Sequence, residues 1–259
     1  MDFPILNPIR IRSVSSSETR MDMRTQRVKY TRGNTPINVY PDYLLGSQIQ
    51  VQSINNNFNI SYARIYSDEN IIKGNLNVID ITPTGWSGGK VLRFETILTQ
   101  EGYYYLEIRD SASNLFRSDV FKVKDNFMKD LVWLRYLDAR NEFGLFYSTP
   151  NNPVWTPQAY FTGNIRFSSP ESERIVSKSE YGNETLLRST PQRVRVLQLA
   201  DIHDSYIDVV DTMLSCAEFY VDNDMYIAKE PEVEPTEFND VVDITYKLIL
   251  QENDYLLKY

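Results

Sequence analysis

The stretch that decides the fold runs from residue 100 to residue 108 and reads QEGYYYLEI. A glycine turn is followed by aromatic and aliphatic residues, which are typical of a β-strand. Similar short strands, several of them alternating apolar with polar residues and separated by turn residues, are predicted from residue 36 to residue 124. Short strands at this regular spacing predict a β-sandwich. The predicted strands cover residues 37–40, 48–51, 58–66, 91–95, 103–108 and 120–123.

The same stretch resembles the start of strand F in immunoglobulin-like domains. In those domains a turn with glycine precedes a corner tyrosine whose hydroxyl bonds back to the chain. Tyr104 stands at the position of that tyrosine, and Leu106 stands where antibody domains have a cysteine. The resemblance implies an immunoglobulin-like β-sandwich over residues 36–124, in which residues 116–123 form strand G.

Residues 125–259 are predicted to form a second, β-rich α+β domain with one clear helix. Strands are predicted at residues 131–136, 141–147, 193–199, 225–228 and 241–250, with an acidic, proline-bearing spacer at residues 230–235. Asp204 or Ser205 is predicted to cap the helix. Its apolar face consists of Tyr206, Val210, Met213, Leu214 and Ala217, which recur at three- and four-residue spacing. The sequence therefore predicts a mainly β fold.

Charge is unevenly spread along the chain, and this asymmetry suggests a contact between copies. Residues 1–34 carry seven basic and three acidic side chains, whereas residues 230–259 carry eight acidic and two basic ones. Residues 1–35 are predicted to be an extended arm that orders only against another molecule. A basic arm and an acidic C-terminus can meet head to tail between neighbouring copies, or both can simply be solvated. Deletion of residues 1–34 is expected to abolish assembly and to leave both domains folded.

The candidate residues for such an interface are charged, apart from one tryptophan in a proline-rich loop at residues 151–158. Aromatic anchors of this kind are enriched in protein interfaces. The candidates are Arg10, Arg12, Arg20, Arg24, Arg27, Trp155, Glu230, Glu232 and Glu234.

The chain has few of the residues that most often act as nucleophile or general base: it has one cysteine, Cys216, and one histidine, His203. Asp201 and His203 end a predicted strand and resemble the first metal motif of calcineurin-like metallophosphoesterases. That site needs several further histidines, which the chain lacks. Neither a Gly-x-Ser-x-Gly elbow nor a Walker loop occurs. The sequence predicts no catalytic residue, cofactor or metal, and hence no enzyme.

Composition also bears on the partners and the compartment. The apolar runs fall short of the ~20 residues that a membrane helix needs, so no membrane contact is expected. A net charge of −8 argues against a surface that wraps nucleic acid. The N-terminus lacks the basic and apolar regions of a signal peptide, which predicts synthesis and retention in a cytoplasm.

A carbohydrate-binding or adhesion module is the alternative function. Trp86, Trp133 and Trp155, together with 18 tyrosines, offer aromatic rings on which sugars can stack. In the opposing interpretation, Trp133 lies in the core and Trp155 anchors a protein interface.

Three further strings of sequence resemble virion structural proteins of crAss-like phages that infect gut Bacteroidales. They are LVWLRY at residues 131–136, NEFG at residues 141–144 and DVVDI at residues 240–244. The resemblance implies a non-enzymatic ring subunit in the neck or tail of a virion, assembled in the cytoplasm of the bacterial host. It also implies a cyclic homo-oligomer, expected to be twelvefold, that contacts adjacent ring or portal proteins and passively contacts genomic DNA in the channel.

Overall fold

A computed structural model of the chain shows strands throughout, with one α-helix among the described residues. The structure describes residues 3–4, 7–15, 18, 29–32, 35–55, 59–125, 131–137, 157–168, 171–178, 181, 184–216 and 218–250. This mainly β fold with a single helix confirms the fold class predicted from the sequence.

The strands of the N-terminal half are β1 (Ile11–Ser13), β2 (Thr31–Arg32), β3 (Thr35–Pro36), β4 (Asp42–Leu44), β5 (Gln48–Asn55), β6 (Ile60–Ser67), β7 (Ile72–Asn75), β8 (Asn77–Asp80), β9 (Lys90–Ile97), β10 (Gly102–Asp110), β11 (Leu115–Ser118) and β12 (Phe121–Lys124). The strands of the C-terminal half are β13 (Leu131–Leu137), β14 (Gln158–Phe167), β15 (Glu171–Lys178), β16 (Glu184–Gln192), β17 (Val194–His203), β18 (Glu218–Val221), β19 (Asp224–Pro235) and β20 (Val241–Leu250). The helix α1 covers Ile207–Leu214 and follows a short 3-10 turn at Asp204–Tyr206.

Two sheets packed face to face form a sandwich in the N-terminal half. One sheet has the order β5, β9, β8, and the other places β10 between β6 on one edge and β11 and β12 on the opposite edge. Val51, Phe94, Leu106 and Ile108 are buried in the core that the two sheets share. Immunoglobulin-like domains place strands B, E and D against strands C, F and G in the same way.

Tyr104 forms the corner that the sequence predicts. Its hydroxyl donates to the carbonyl oxygen of Gln100 at 2.9 Å. Gly102, with a φ of 151°, brings the chain under the tyrosine ring, and a Cβ at this position would lie 3.4 Å from the ring. Glycine suits this position because other residues rarely adopt such a φ.

Removal of the Tyr104 hydroxyl is expected to weaken the sandwich modestly. Tyr104→Phe keeps the ring and loses one hydrogen bond, so the free energy of unfolding should fall by about 0.5–1.5 kcal/mol. Urea unfolding measures this loss as a lower midpoint with an unchanged slope. Tyr181→Phe, at a tyrosine that is 91% exposed, should leave the midpoint in place. Equal midpoints for Tyr104→Phe and the wild type would contradict the prediction.

Six strands of the C-terminal half close into a barrel in the order β14, β13, β18, β19, β20, β17. β14 closes the barrel because residues 158–162 pair with β13 and residues 163–167 pair with β17. At the change of partner, a Cβ on Gly163 would lie 2.3 Å from the Gln198 carbonyl oxygen, so only glycine fits there. From α1, Val210 and Met213 pack into the barrel core.

β4 joins the sandwich to the barrel. It pairs in parallel with β12 and meets β14 at Tyr160, so one sheet continues through both units. The buried Asp42 carboxylate accepts hydrogen bonds from Lys124 at 2.5 Å and from the Asn38 amide at 2.8 Å. Burial raises the pKa of Asp42, and the charge of Lys124 opposes this shift.

Several local predictions differ from the structure. Residues 37–40 form no strand, and β4 begins after Pro41 instead. The predicted strand G is divided into β11 and β12 at Asp119 and Val120. The predicted spacer at residues 230–235 belongs to β19, because it pairs with β20 and a bulge between Ala228 and Pro231 accommodates the proline. The predicted strand at 141–147 lies outside the described residues.

The N-terminal segment packs on its own chain wherever the structure describes it. β1 pairs with β11, and Ile9 is fully buried in the sandwich core. The Asn7 side chain donates to the Gln52 carbonyl at 2.8 Å and accepts from its N–H at 2.7 Å. Tyr30 is buried in the barrel core. For the described residues of this segment, these contacts correct the expectation that residues 1–35 order only against another molecule.

Candidate functional site

Asp201 and His203 are both engaged within the chain. Asp201 lies in a bulge of β17 with a φ of 56°, its N–H donates to Asp243 at 2.8 Å, and its carboxylate accepts from Arg32 at 2.9 Å. The His203 ring stacks on Tyr40 at 5.3 Å between centroids. The described part of the chain contains no group of three or more His, Cys, Asp or Glu side chains that could hold a metal ion. Asp201 and His203 thus both make contacts with other residues of the chain in this structure.

His203 also caps the helical segment, in place of the predicted Asp204 or Ser205. Its Nδ1 accepts the Ser205 N–H at 3.2 Å, because the extended backbone of His203 turns the ring towards the first helical amides. The predicted helix face is buried at Tyr206, Val210, Met213 and Leu214, whereas Ala217 lies outside the described residues.

Basic residues near the N-terminus meet acidic residues of the barrel along a line that we call the N-terminal seam. Lys29 bonds Asp240, and the Tyr30 hydroxyl donates to the same carboxylate at 2.7 Å. Arg32 bonds Glu237 at 2.7 Å as well as Asp201. Within a single chain, the described parts of the basic arm and the acidic C-terminal region thus already pair with each other.

The seam makes stability depend on pH. Burial opposes ionisation of Asp240, but the hydrogen bonds from Lys29 and Tyr30 outweigh burial and lower the pKa of this carboxyl. A lowered pKa in the folded state contributes stability above the unfolded pKa of about 3.9, and this contribution is lost as the pH falls. Asp240→Asn should therefore reduce stability by about 1 kcal/mol at pH 7, a figure discounted for the exposure of Lys29, and by less near pH 3.

Thermal unfolding of the wild type and Asp240→Asn between pH 3 and pH 7 measures this difference. The exposed Glu234→Gln serves as the matched control with little effect. A gap between wild type and Asp240→Asn that stays constant or widens towards low pH would contradict the assignment.

Those predicted interface residues that the structure describes are spread over β1 and its approach and over β19. Arg12 bonds Glu18 of its own segment at 2.6 Å, and the Arg10 N–H donates to the Tyr206 hydroxyl at 3.2 Å. Glu232 and Glu234 are exposed on β19, and Glu230 belongs to the same strand. Arg20, Arg24, Arg27 and Trp155 lie outside the described residues. Contact of any of these side chains with a second copy stays a prediction.

A two-stranded ribbon, β15 with β16, continues the β14–β17 hairpin along the chain. The two strands pair with each other and with no other strand of the described residues. Large apolar side chains lie exposed at its base, along it and at its tip: Phe167 is 82% exposed, Val176 is 41% exposed, and Tyr181 stands at the turn. Pattern reasoning missed the ribbon, although Tyr181-Gly182-Asn183 between two runs of β-formers is a turn signal.

β19 also exposes apolar residues, which we call the β19 strip: Pro231, Val233 and Pro235 lie on one face of the strand, and Ile227 lies on the other. Ile227 is 51% and Val233 45% exposed. β19 pairs with β20 along this length, and on its other side β18 reaches only Asp224 and Met225. Prolines and charges at such an edge discourage the addition of another strand.

A cleft of about 500 Å³ opens where β19 passes the end of α1. Leu214, Tyr226 and Ile227 supply apolar walls, and Asp211 and Lys229 supply charge. The Asp211 carboxylate accepts a hydrogen bond from Tyr246 at 2.6 Å. Burial raises the pKa of Tyr226 to about 12. The cleft therefore suits a partly apolar group with one polar end.

The two described tryptophans lie in different units, Trp86 between β8 and β9 of the sandwich and Trp133 on β13 of the barrel. Trp133 lies on the outer face of the barrel and not in its core, because Val132 and Leu134 take the inward positions of β13. Its ring stacks on Tyr160 at 5.9 Å, and the Arg135 guanidinium lies 4.2 Å from the ring centroid. Trp86 is partly exposed, and its ring lies against Gly88.

No family model matches the chain, and no curated protein matches it. None of the described helices is long and apolar enough to cross a membrane.

Proposed function

We propose that the chain is a non-enzymatic structural subunit of a phage virion, which oligomerises head to tail into a ring in the neck or tail. The ribbon is the observation that supports this proposal most directly. An isolated two-stranded hairpin is marginally stable in water, yet each strand here is eight or nine residues long, and Val176 and Tyr181 of the ribbon are exposed apolar side chains. Such an element needs a partner surface in the working state of the protein.

The charge of the chain fits the proposed location. Exposed Glu232 and Glu234 lie on the barrel wall, and the net charge of −8 disfavours tight binding of DNA. In this proposal the ring, expected to be twelvefold, contacts adjacent ring or portal proteins and lets genomic DNA pass with only passive contact. Assembly takes place in the cytoplasm of the bacterial host.

The native mass of the full-length chain, measured by light scattering from micromolar to millimolar concentration, tests the oligomer. We expect a concentration-dependent ring that is visible by negative-stain electron microscopy. Mass spectrometry of purified particles should detect several copies of the chain per virion. A strictly monomeric chain contradicts the ring, and absence of the chain from the particles contradicts the virion role.

A further inference from the structure

We propose that His203, the one histidine of the chain, is a pH-dependent switch at the start of the helical segment. The neutral ring caps this segment, and the protonated ring releases the cap and binds a carboxylate instead. An imidazole suits this role because its charge ordinarily changes between about pH 5 and pH 8. The change takes place within one chain and therefore does not depend on the proposed ring.

One ring nitrogen of His203 faces two groups that it cannot bind at the same time. The Ser205 N–H, which can only donate a hydrogen bond, lies 3.2 Å from Nδ1. The Asp204 carboxylate, which can only accept one when ionised, lies 3.0 Å from the same nitrogen. The neutral ring accepts from Ser205 at Nδ1 and carries its proton on Nε2, whereas the protonated ring donates from Nδ1 to Asp204. The Ser205 hydroxyl, 2.8 Å from Nδ1, can donate or accept and so fits both states.

A second carboxylate lies near the other ring nitrogen. Nε2 is 3.8 Å from Asp240, which belongs to the N-terminal seam and also binds Lys29 and Tyr30. A positive ring is attracted by both aspartates and repelled by Lys29. The His203 side chain is only 18% exposed, so water screens these charges only in part. Protonation therefore exchanges the amide of the helical segment for ionised partners, one of which lies on the seam.

The N-terminal segment holds the imidazole in this position. Tyr40 stacks on the ring at 5.3 Å between centroids, and Tyr30 meets it edge-on at 6.0 Å. The His203 backbone N–H donates to the Val39 carbonyl oxygen at 3.1 Å. The titratable and charged groups that face the ring from the described residues are Asp204, Asp240, Tyr30 and Tyr40, with Lys29 bound to Asp240. The ring is fixed on these sides, so it can change its partner at Nδ1 without leaving its place.

The position of the ring proton is the first test, made on the untagged full-length chain. Histidine labelled with ¹⁵N gives a single imidazole spectrum, because the chain has no second histidine. Solid-state NMR of the sedimented protein, which is insensitive to the oligomeric state, should show the proton of the neutral ring on Nε2 at pH 8 and protons on both nitrogens at pH 5. A ring protonated on Nδ1 alone at pH 8, or still neutral at pH 5, overturns the switch.

Hydrogen–deuterium exchange followed by mass spectrometry tests the cap itself. After correction for the intrinsic effect of pH on exchange, protection of the Ser205 amide should fall about fivefold from pH 8 to pH 5, because one capping hydrogen bond is lost. His203→Asn provides an acceptor that does not titrate, since asparagine is a favoured N-cap residue. Protection of Ser205 in this variant should therefore be the same at both pH values.

Two further variants examine the carboxylate that receives the protonated ring. Asp204→Asn should make the fall in protection smaller, because the positive ring loses an ionised partner. Asp208→Asn, at an exposed aspartate of the same helical segment, is the matched control and should behave like the wild type. Protection that stays constant in the wild type, or that falls equally in the wild type and in His203→Asn, overturns the switch whether or not copies of the chain assemble.

Discussion

Ile9→Ala is expected to lower the free energy of unfolding by about 2–5 kcal/mol, and removal of residues 1–34 is expected to lower it further. Ile9 is fully buried in the sandwich, and Tyr30 is almost fully buried in the barrel. Truncation would also remove β1 from the edge of β11 and the two hydrogen bonds between Asn7 and Gln52. Domains of ordinary size have only about 5–15 kcal/mol in total. The truncated chain should therefore be largely unfolded, which revises the expectation that both domains stay folded without the arm.

Urea unfolding followed by circular dichroism measures both changes. Arg12→Ala is the control in the same segment, because its partly exposed pair with Glu18 should contribute no more than about 1 kcal/mol. If the truncated chain unfolds at the same urea concentration as the full chain, the described packing of the N-terminal segment carries no stability.

Arg117→Met should destabilise the sandwich by about 3–5 kcal/mol. The Arg117 Nε donates to the Glu107 carboxylate at 2.8 Å, and Tyr62 donates to the other oxygen at 2.9 Å. Glu107 is fully buried, so removal of the arginine takes this positive charge away from a buried carboxylate. The cost arises from that uncompensated charge more than from the lost contact.

The double variant Glu107→Leu with Arg117→Met separates these two causes. Replacement of both partners by apolar side chains is often neutral, so it should recover most of the stability that the single variant loses. A double variant that is as unstable as Arg117→Met would show that packing, and not charge, makes this pair important. Thermal unfolding of the three chains gives the comparison.

Local signals predicted much of the sandwich and several barrel strands. The hydroxyl bond of Tyr104 follows from a glycine turn and a tyrosine at fixed spacing, and both are adjacent in sequence. The last strand, β20, was predicted with its observed bounds because residues 241–250 are rich in β-formers. The helix face was predicted because its period is local.

Features that depend on distant parts of the chain were not predicted. The barrel closes because β14 changes its pairing partner at Gly163. The sequence around this glycine does not predict that β17 is the second partner. The composition of residues 230–235 predicts a spacer, because only the pairing with β20 shows that they belong to a strand. The burial of Ile9 and Tyr30 likewise depends on surfaces formed by residues far along the chain.

The candidate surfaces were predictable in part only. Charge predicted a basic region facing an acidic one, and the seam at Lys29 and Arg32 shows such a pairing within the chain. The sequence did not predict the β19 strip, because the exposure of Ile227 and Val233 depends on which strands lie beside β19. Single apolar residues in a strand do not reveal which face they take.

The bridge at β4 has a mechanical consequence. A twist of the sandwich against the barrel would shear the three paired residues between β4 and β12 and draw Lys124 away from the buried Asp42. Because the strand pairing and the buried ion pair both oppose this twist, we expect the sandwich and the barrel to rotate together as one rigid body. A partner molecule that binds only the barrel would then also fix the orientation of the sandwich.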